Sequence, residues 1–85
     1  MTEIEIRQKV LAILEKRGPL PSQDPKVLEA YAFFEVGHVD SFGLMGFILD
    51  LEEAFGIELS PEDTQSYDFR TVGRLARLIH QRLGG

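Results

Sequence analysis

The sequence predicts an all-α domain of four helices, the third very short, with a long connection between the first and the second. Apolar residues recur at helical spacing in three stretches, start and stop residues bracket those stretches, and no stretch alternates as a strand would. At 85 residues the chain is long enough for one domain and one hydrophobic core, without room for a second.

The first helix is expected over residues 3–17. Thr2 and Glu5 have the spacing of a capping box, in which each side chain satisfies a free backbone N–H of the first turn. Ile6, Val10, Ile13 and Leu14 then form an apolar stripe, with Ile4 and Leu11 beside it. Arg17-Gly18-Pro19 ends the helix, because Gly suits a left-handed cap and Pro cannot continue the ladder. Residues 18–39 form a connection carrying Pro19, Pro21 and Pro25. Its apolar residues, among them Leu20, Leu28, Tyr31, Phe33 and Phe34, hold it against the core, with room for a short helical turn at 25–31.

The second helix is expected from Ser41 to Phe55, with Asp40 as its N-cap and Gly56 at its C-terminal cap. At about 100° per residue, Leu44, Phe47, Ile48, Leu51 and Phe55 gather on one side and face the core. Phe42, Met45 and Leu49 gather on the other side, with Glu53 below them. A protein this small cannot bury both faces, so the second is a candidate docking patch. Gly43 and Gly46 each cost about 1 kcal/mol relative to Ala in a helix interior. Either the poor propensity is simply tolerated, or the preceding loop packs closely there, or a partner approaches the backbone near Ser41.

Ser60-Pro61-Glu62-Asp63 starts a short helix: a capping Ser, Pro at the first helical position, and acids in the first turn. Thr71 caps the last helix, in which Val72, Leu75, Ala76, Ile79 and Leu83 share a face. Gly84-Gly85 reads as an ordinary frayed end.

Net charge is −5, and it is unevenly placed. Residues 1–39 sum to −1, residues 40–69 to −8 with no Lys or Arg, and residues 70–85 to +4. That balance argues against nucleic acid as a ligand and suits a surface that steers basic partners. No apolar run is long enough to cross a membrane, and the N-terminus lacks a signal-peptide core, so a cytoplasmic protein is expected.

No catalytic residue is expected. The chain has no Cys, and its two histidines are His38 and His80. His38 is near Ser41, but a serine hydrolase needs base, orienter and oxyanion hole together. Val39 also stands where a nucleophile elbow would have its first Gly. His38 therefore reads as a solvent-facing loop residue. No metal site is expected either, since the acids at 52–63 lack the alternating ligands and central Gly of a calcium loop. Ser41 stands out for another reason. In the first turn of a helix, a phosphate diester on its hydroxyl would meet free N–H groups and the positive end of the helix dipole.

Val39-Asp40-Ser41-Phe42, followed by Leu51-Glu52-Glu53-Ala54-Phe55-Gly56-Ile57-Glu58-Leu59, resembles the core of the acyl and peptidyl carrier protein family. Phe69-Arg70-Thr71-Val72 is similar to the residues that lead into the family's last helix. The resemblance covers residues 34–79 well and the whole chain loosely. It implies a single carrier domain over residues 1–85 with the acyl-carrier type of four-helix bundle. It also implies a 4′-phosphopantetheine arm on Ser41, transferred from coenzyme A, with an acyl or aminoacyl cargo held as a thioester on the arm's thiol. Asp40 would cap the helix and assist recognition by the transferase. Phe47, Leu51, Leu59 and Phe69 match residues between which some carriers shelter an acyl chain.

The partners so implied are a phosphopantetheinyl transferase, a loading ligase and transferase or synthase enzymes, all meeting a monomer that is not inserted in a membrane. Phe42, Met45, Leu49, Glu52 and Glu53 are the expected partner contacts. General fatty-acid carriers often have acids where this chain has Gly43 and Gly46. With its apolar residues near the serine and its acids further down, the face fits a specialised pathway. The alternative is an unmodified acidic helical module of the same fold that binds a protein partner.

Overall fold

A computed structural model describes residues 1–84, and Gly85, half of the expected frayed end, lies outside them. Five α-helices follow one another: α1 (Glu3–Glu15), α2 (Pro25–Glu29), α3 (Leu44–Phe55), α4 (Pro61–Gln65) and α5 (Val72–Arg82). A 3₁₀ turn at Tyr67–Phe69 precedes α5, and no strand occurs among the described residues. The all-α expectation therefore holds. The short turn expected near Pro25 is a helix in its own right, capped by the Asp24 carboxylate on Lys26 N.

Local capping explains most of the boundaries. Thr2 Oγ1 accepts from Glu5 N at 3.1 Å while Glu5 Oε1 accepts from Thr2 N at 2.8 Å, so the capping box is complete. Ser60 and Asp63 repeat the arrangement at the head of α4. Thr71 Oγ1 accepts from Arg74 N to start α5. Gly56 closes α3 in the left-handed region at φ 65°, where a side chain would be strained.

Ile6, Val10, Ile13 and Leu14 of α1 and Val72, Leu75, Ala76, Leu78 and Ile79 of α5 are the buried faces of the most extensive helix pair. Leu83, expected on that face, is exposed just past the end of α5. Across the other side of the core, Phe33, Phe47 and Phe69 form an aromatic triangle with ring centroids 5.2–6.2 Å apart in tilted and edge-on geometry. Phe33 belongs to the long connection, so this triangle ties the connection to α3 and to the 3₁₀ turn. The Val72 N–H donates to Tyr31 O and the Val39 N–H to Phe33 O, which anchors the connection on both sides of Phe33.

The second helix begins later than its sequence suggests. The ladder of α3 opens with Phe47 N donating to Gly43 O, and residues 41–43 form a turn ahead of it. Asp40 therefore caps that turn rather than the helix proper: its Oδ1 accepts from Gly43 N at 2.8 Å. Gly43 and Gly46 weaken the helical preference of these residues, and the Asp40 carboxylate gives the backbone an alternative partner.

Candidate functional site

Ser41 sits at the exposed head of α3, between two anchors. On one side Val39 is fully buried and fixes the chain entering the turn. On the other, Leu44 packs against the core and starts the helix. Asp40 closes the turn through Gly43 N, so the serine is presented on ordered backbone. Phe42 points away from the protein and is 98% exposed, with Met45 at 66% and Leu49 at 56%. The apolar patch expected on this face is thus present and open to solvent.

The acids below the patch divide. Glu53 is exposed, but Glu52 turns back, and its Oε2 accepts from Leu59 N at 2.8 Å. That bond holds the loop after α3, so Glu52 serves the fold first.

The four residues matched to an acyl shelter are also not alike. Phe47, Leu51 and Phe69 are core residues, and Leu59 is half-buried against the core. The cleft that does open beside them, about 350 Å³, is lined by Phe34, Glu35, Leu44, Ser66, Phe69 and Arg70, among others. Of the four, Phe69 alone lines it. The aromatic triangle fills the space between Phe47 and Phe69, which is why the opening lies to one side.

His38 is not the solvent-facing residue expected. Its Nε2 donates to Leu14 O at 2.7 Å, and its Nδ1 pairs with the Tyr31 hydroxyl at 2.6 Å. The Leu14 carbonyl can only accept, which assigns a proton to Nε2 and leaves Nδ1 to pair with the Tyr31 hydroxyl. The ring pins the stretch leading to Ser41 onto the end of α1, and burial pushes the Tyr31 hydroxyl pKa up. Sequence reasoning missed this because both partners lie outside the local window of His38.

Arg17 was also missed. From the end of α1 it crosses to α3, where Nη2 donates to Asp50 Oδ2 at 3.2 Å. Its guanidinium lies over the two glycines: a Cβ on Gly46 would stand 3.0 Å from Nη2, and one on Gly43 3.2 Å from Nη1. The glycines therefore leave room for Arg17, a close packing of the kind one of the explanations requires. The glycines themselves were the one signal in the sequence, although they did not name the side chain they admit.

The basic end of the chain is partly neutralised within the fold. Arg82 bonds the buried Asp63, Arg74 lies 3.4 Å from Asp68, and Arg77 lies 3.6 Å from Glu3. Burial raises the Asp63 carboxyl pKa, but the hydrogen bonds at Ser60 and the Arg82 charge outweigh it. The net result holds that carboxyl below its ordinary value.

Fold and site together define a small helical domain that displays one serine at the head of a helix with an open apolar face. The family model of the phosphopantetheine attachment site matches residues 8–79, and the chain belongs to that family. Such domains are the sites at which 4′-phosphopantetheine is covalently attached. The residues present fit such a group: Ser41 is exposed, its backbone is held by Val39 and Asp40, and a substituent on its hydroxyl displaces no core atom. Among the described residues no helix is long and apolar enough to cross a membrane.

Proposed function

We propose that this chain is an acyl or aminoacyl carrier whose 4′-phosphopantetheine arm is esterified to Ser41, and that it presents its cargo to the biosynthetic enzymes of a specialised pathway in the cytoplasm. The observation that carries this reading is the exposed Ser41 on an anchored turn, beside a phenylalanine that is 98% exposed. When attached, the arm supplies a terminal thiol on which an acyl or aminoacyl group is held as a thioester.

The protein's own residues supply position. Val39 and Leu44 fix the two ends of the turn, Asp40 holds its shape, and Ser41 offers its hydroxyl to the transferase. Phe42, Met45 and Leu49 offer an apolar surface that a loading ligase and a transferase or synthase read by shape, with Glu53 adding charge below. The monomer is the working unit. A large exposed aromatic beside the serine is costly in water unless something covers it in turn, and a succession of partner enzymes does so.

The deciding measurement is the intact mass of the protein after incubation with coenzyme A and a broad-specificity phosphopantetheinyl transferase, with Ser41→Ala in parallel. The expected result is one added phosphopantetheine on the wild type and none on the folded variant. Addition to both would place the arm elsewhere. No addition to a folded wild type, beside a working control carrier, would favour the unmodified interaction module.

A further inference from the structure

The Ser41 turn stands in an acidic setting. Residues 40–69 contain eight acids and no Lys or Arg, and Asp40 is the serine's immediate neighbour. Its carboxylate is held in the turn by Gly43 N at 2.8 Å. A phosphodiester on Ser41 adds a further negative charge beside it, and like charges this close disfavour one another. No side chain within residues 40–69 carries a positive charge to offset it.

Tertiary structure brings the missing cation. Arg17 lies across the first part of α3, its Nη1 3.2 Å from where a Gly43 Cβ would stand. Asp40 Oδ1 is 3.4 Å from that same point. The guanidinium and the Asp40 carboxylate therefore flank one spot, two residues along from Ser41. Nη2 is engaged with Asp50, which leaves the Nη1 edge towards the turn. The Arg17 side chain keeps 27% of its exposure, enough for an anion to reach it from solvent.

From this placement, and resting on the reading of Ser41 as the attachment residue, we infer that Arg17 is the counter-ion of the phosphodiester that joins the arm to the protein. Its planar fork suits phosphate oxygens, and Asp50 holds the fork in position. The pairing offsets the charge beside Asp40 and sets the direction in which the arm leaves the turn. Gly43 and Gly46 are part of the device, since a Cβ at either would stand 3.2 or 3.0 Å from the guanidinium and oblige it to shift by a few tenths of an ångström.

Intact mass first establishes which form is in hand. Thermal midpoints are then compared, at low salt, for the unmodified and arm-bearing forms of the wild type, Arg17→Gln, Arg17→Lys, Gly46→Ala and Arg74→Gln. Taking the difference between the two forms of each protein removes the effect of losing the Arg17–Asp50 bond itself. Attachment should lower the midpoint of Arg17→Gln by about 2–5 °C more than that of the wild type, and 1 M salt should shrink this gap. Gly46→Ala, which keeps the helix sound but crowds the guanidinium, should widen the gap in the same direction by less than Arg17→Gln, and Arg17→Lys should lie between Arg17→Gln and the wild type. Arg74→Gln, which removes a remote arginine also paired with an acid, should match the wild type. The phosphorus-31 resonance of the diester should shift in Arg17→Gln.

The same attachment effect in the wild type and Arg17→Gln, with an unmoved resonance, would overturn this inference and leave the Ser41 reading standing. A wild type that gains no arm, or a Ser41→Ala variant that gains one, would overturn both.

Discussion

The Tyr31 hydroxyl pairs with His38 Nδ1 at 2.6 Å, and the same ring donates its Nε2–H to the Leu14 carbonyl. A single imidazole thus satisfies a group from the long connection and one from the end of α1, three residues before Ser41. Replacing His38 by Ala leaves the half-buried Tyr31 hydroxyl without its partner and takes one donor from the Leu14 carbonyl, which keeps Arg17 N at 2.9 Å. The expected loss is about 1–3 kcal/mol in a denaturant titration at neutral pH. Tyr31→Phe, which keeps the ring, should cost about 1 kcal/mol. If neither variant moves the midpoint, the bridge does not hold the connection.

Asp63 makes stability depend on acid. Its folded pKa lies below the ordinary carboxyl value of about 4, so its ionised form favours the fold. That stabilisation is fully present above the unfolded value and is lost as pH falls through the lower, folded one. Asp63→Asn should therefore be less stable than wild type at pH 7, and the gap should close below about pH 4. Parallel melting curves from pH 7 to 2 check this, and a gap independent of pH would show that the charge is not what matters.

The aromatic triangle is the joint between the connection and α3. Phe47→Ala, at a fully buried position, should cost about 3–5 kcal/mol. A loss that large should leave the variant marginally folded at 37 °C. Chemical denaturation at 10–20 °C measures it.

Gly73 marks where α2 and α5 approach closely. A Cβ there would stand 2.5 Å from Glu29 Cγ and 3.1 Å from Glu29 O. Ala would gain up to about 1 kcal/mol of helix propensity, but forcing α2 outward costs about 1–3 kcal/mol. Gly73→Ala should be net destabilising in a urea titration, and a rise in stability would mean that α2 yields freely.

Met45 lies on the open face and is 66% exposed. Met45→Glu should change stability by less than about 0.5 kcal/mol, while slowing loading or transfer by partners that cover the patch. Unchanged rates with every partner would show that the apolar face is not read.

How much was legible in the sequence follows from distance along the chain. Thr2 with Glu5, Ser60 with Asp63 and Thr71 with Arg74 each act across three residues, so the starts of α1, α4 and α5 could be placed from sequence. The buried stripes of α1, α3 and α5 follow from helical period alone, and so does the apolar face of Phe42, Met45 and Leu49. The Asp40-Ser41 pair was visible as a motif. The head of α3 was misplaced because two glycines and a side-chain hydrogen bond compete there on nearly equal terms.

What the sequence determined by itself is the all-α class, the capped ends, and a serine set beside an apolar helix face. Tertiary structure alone decided that His38 is a bridge, that Glu52 turns back to Leu59, that the cleft opens by Phe69 and Arg70, and that Arg17 fills the space of two glycines. Those contacts join residues 7 to 33 positions apart. No helical period or capping rule reaches that far, because such pairs meet only once the helices have packed.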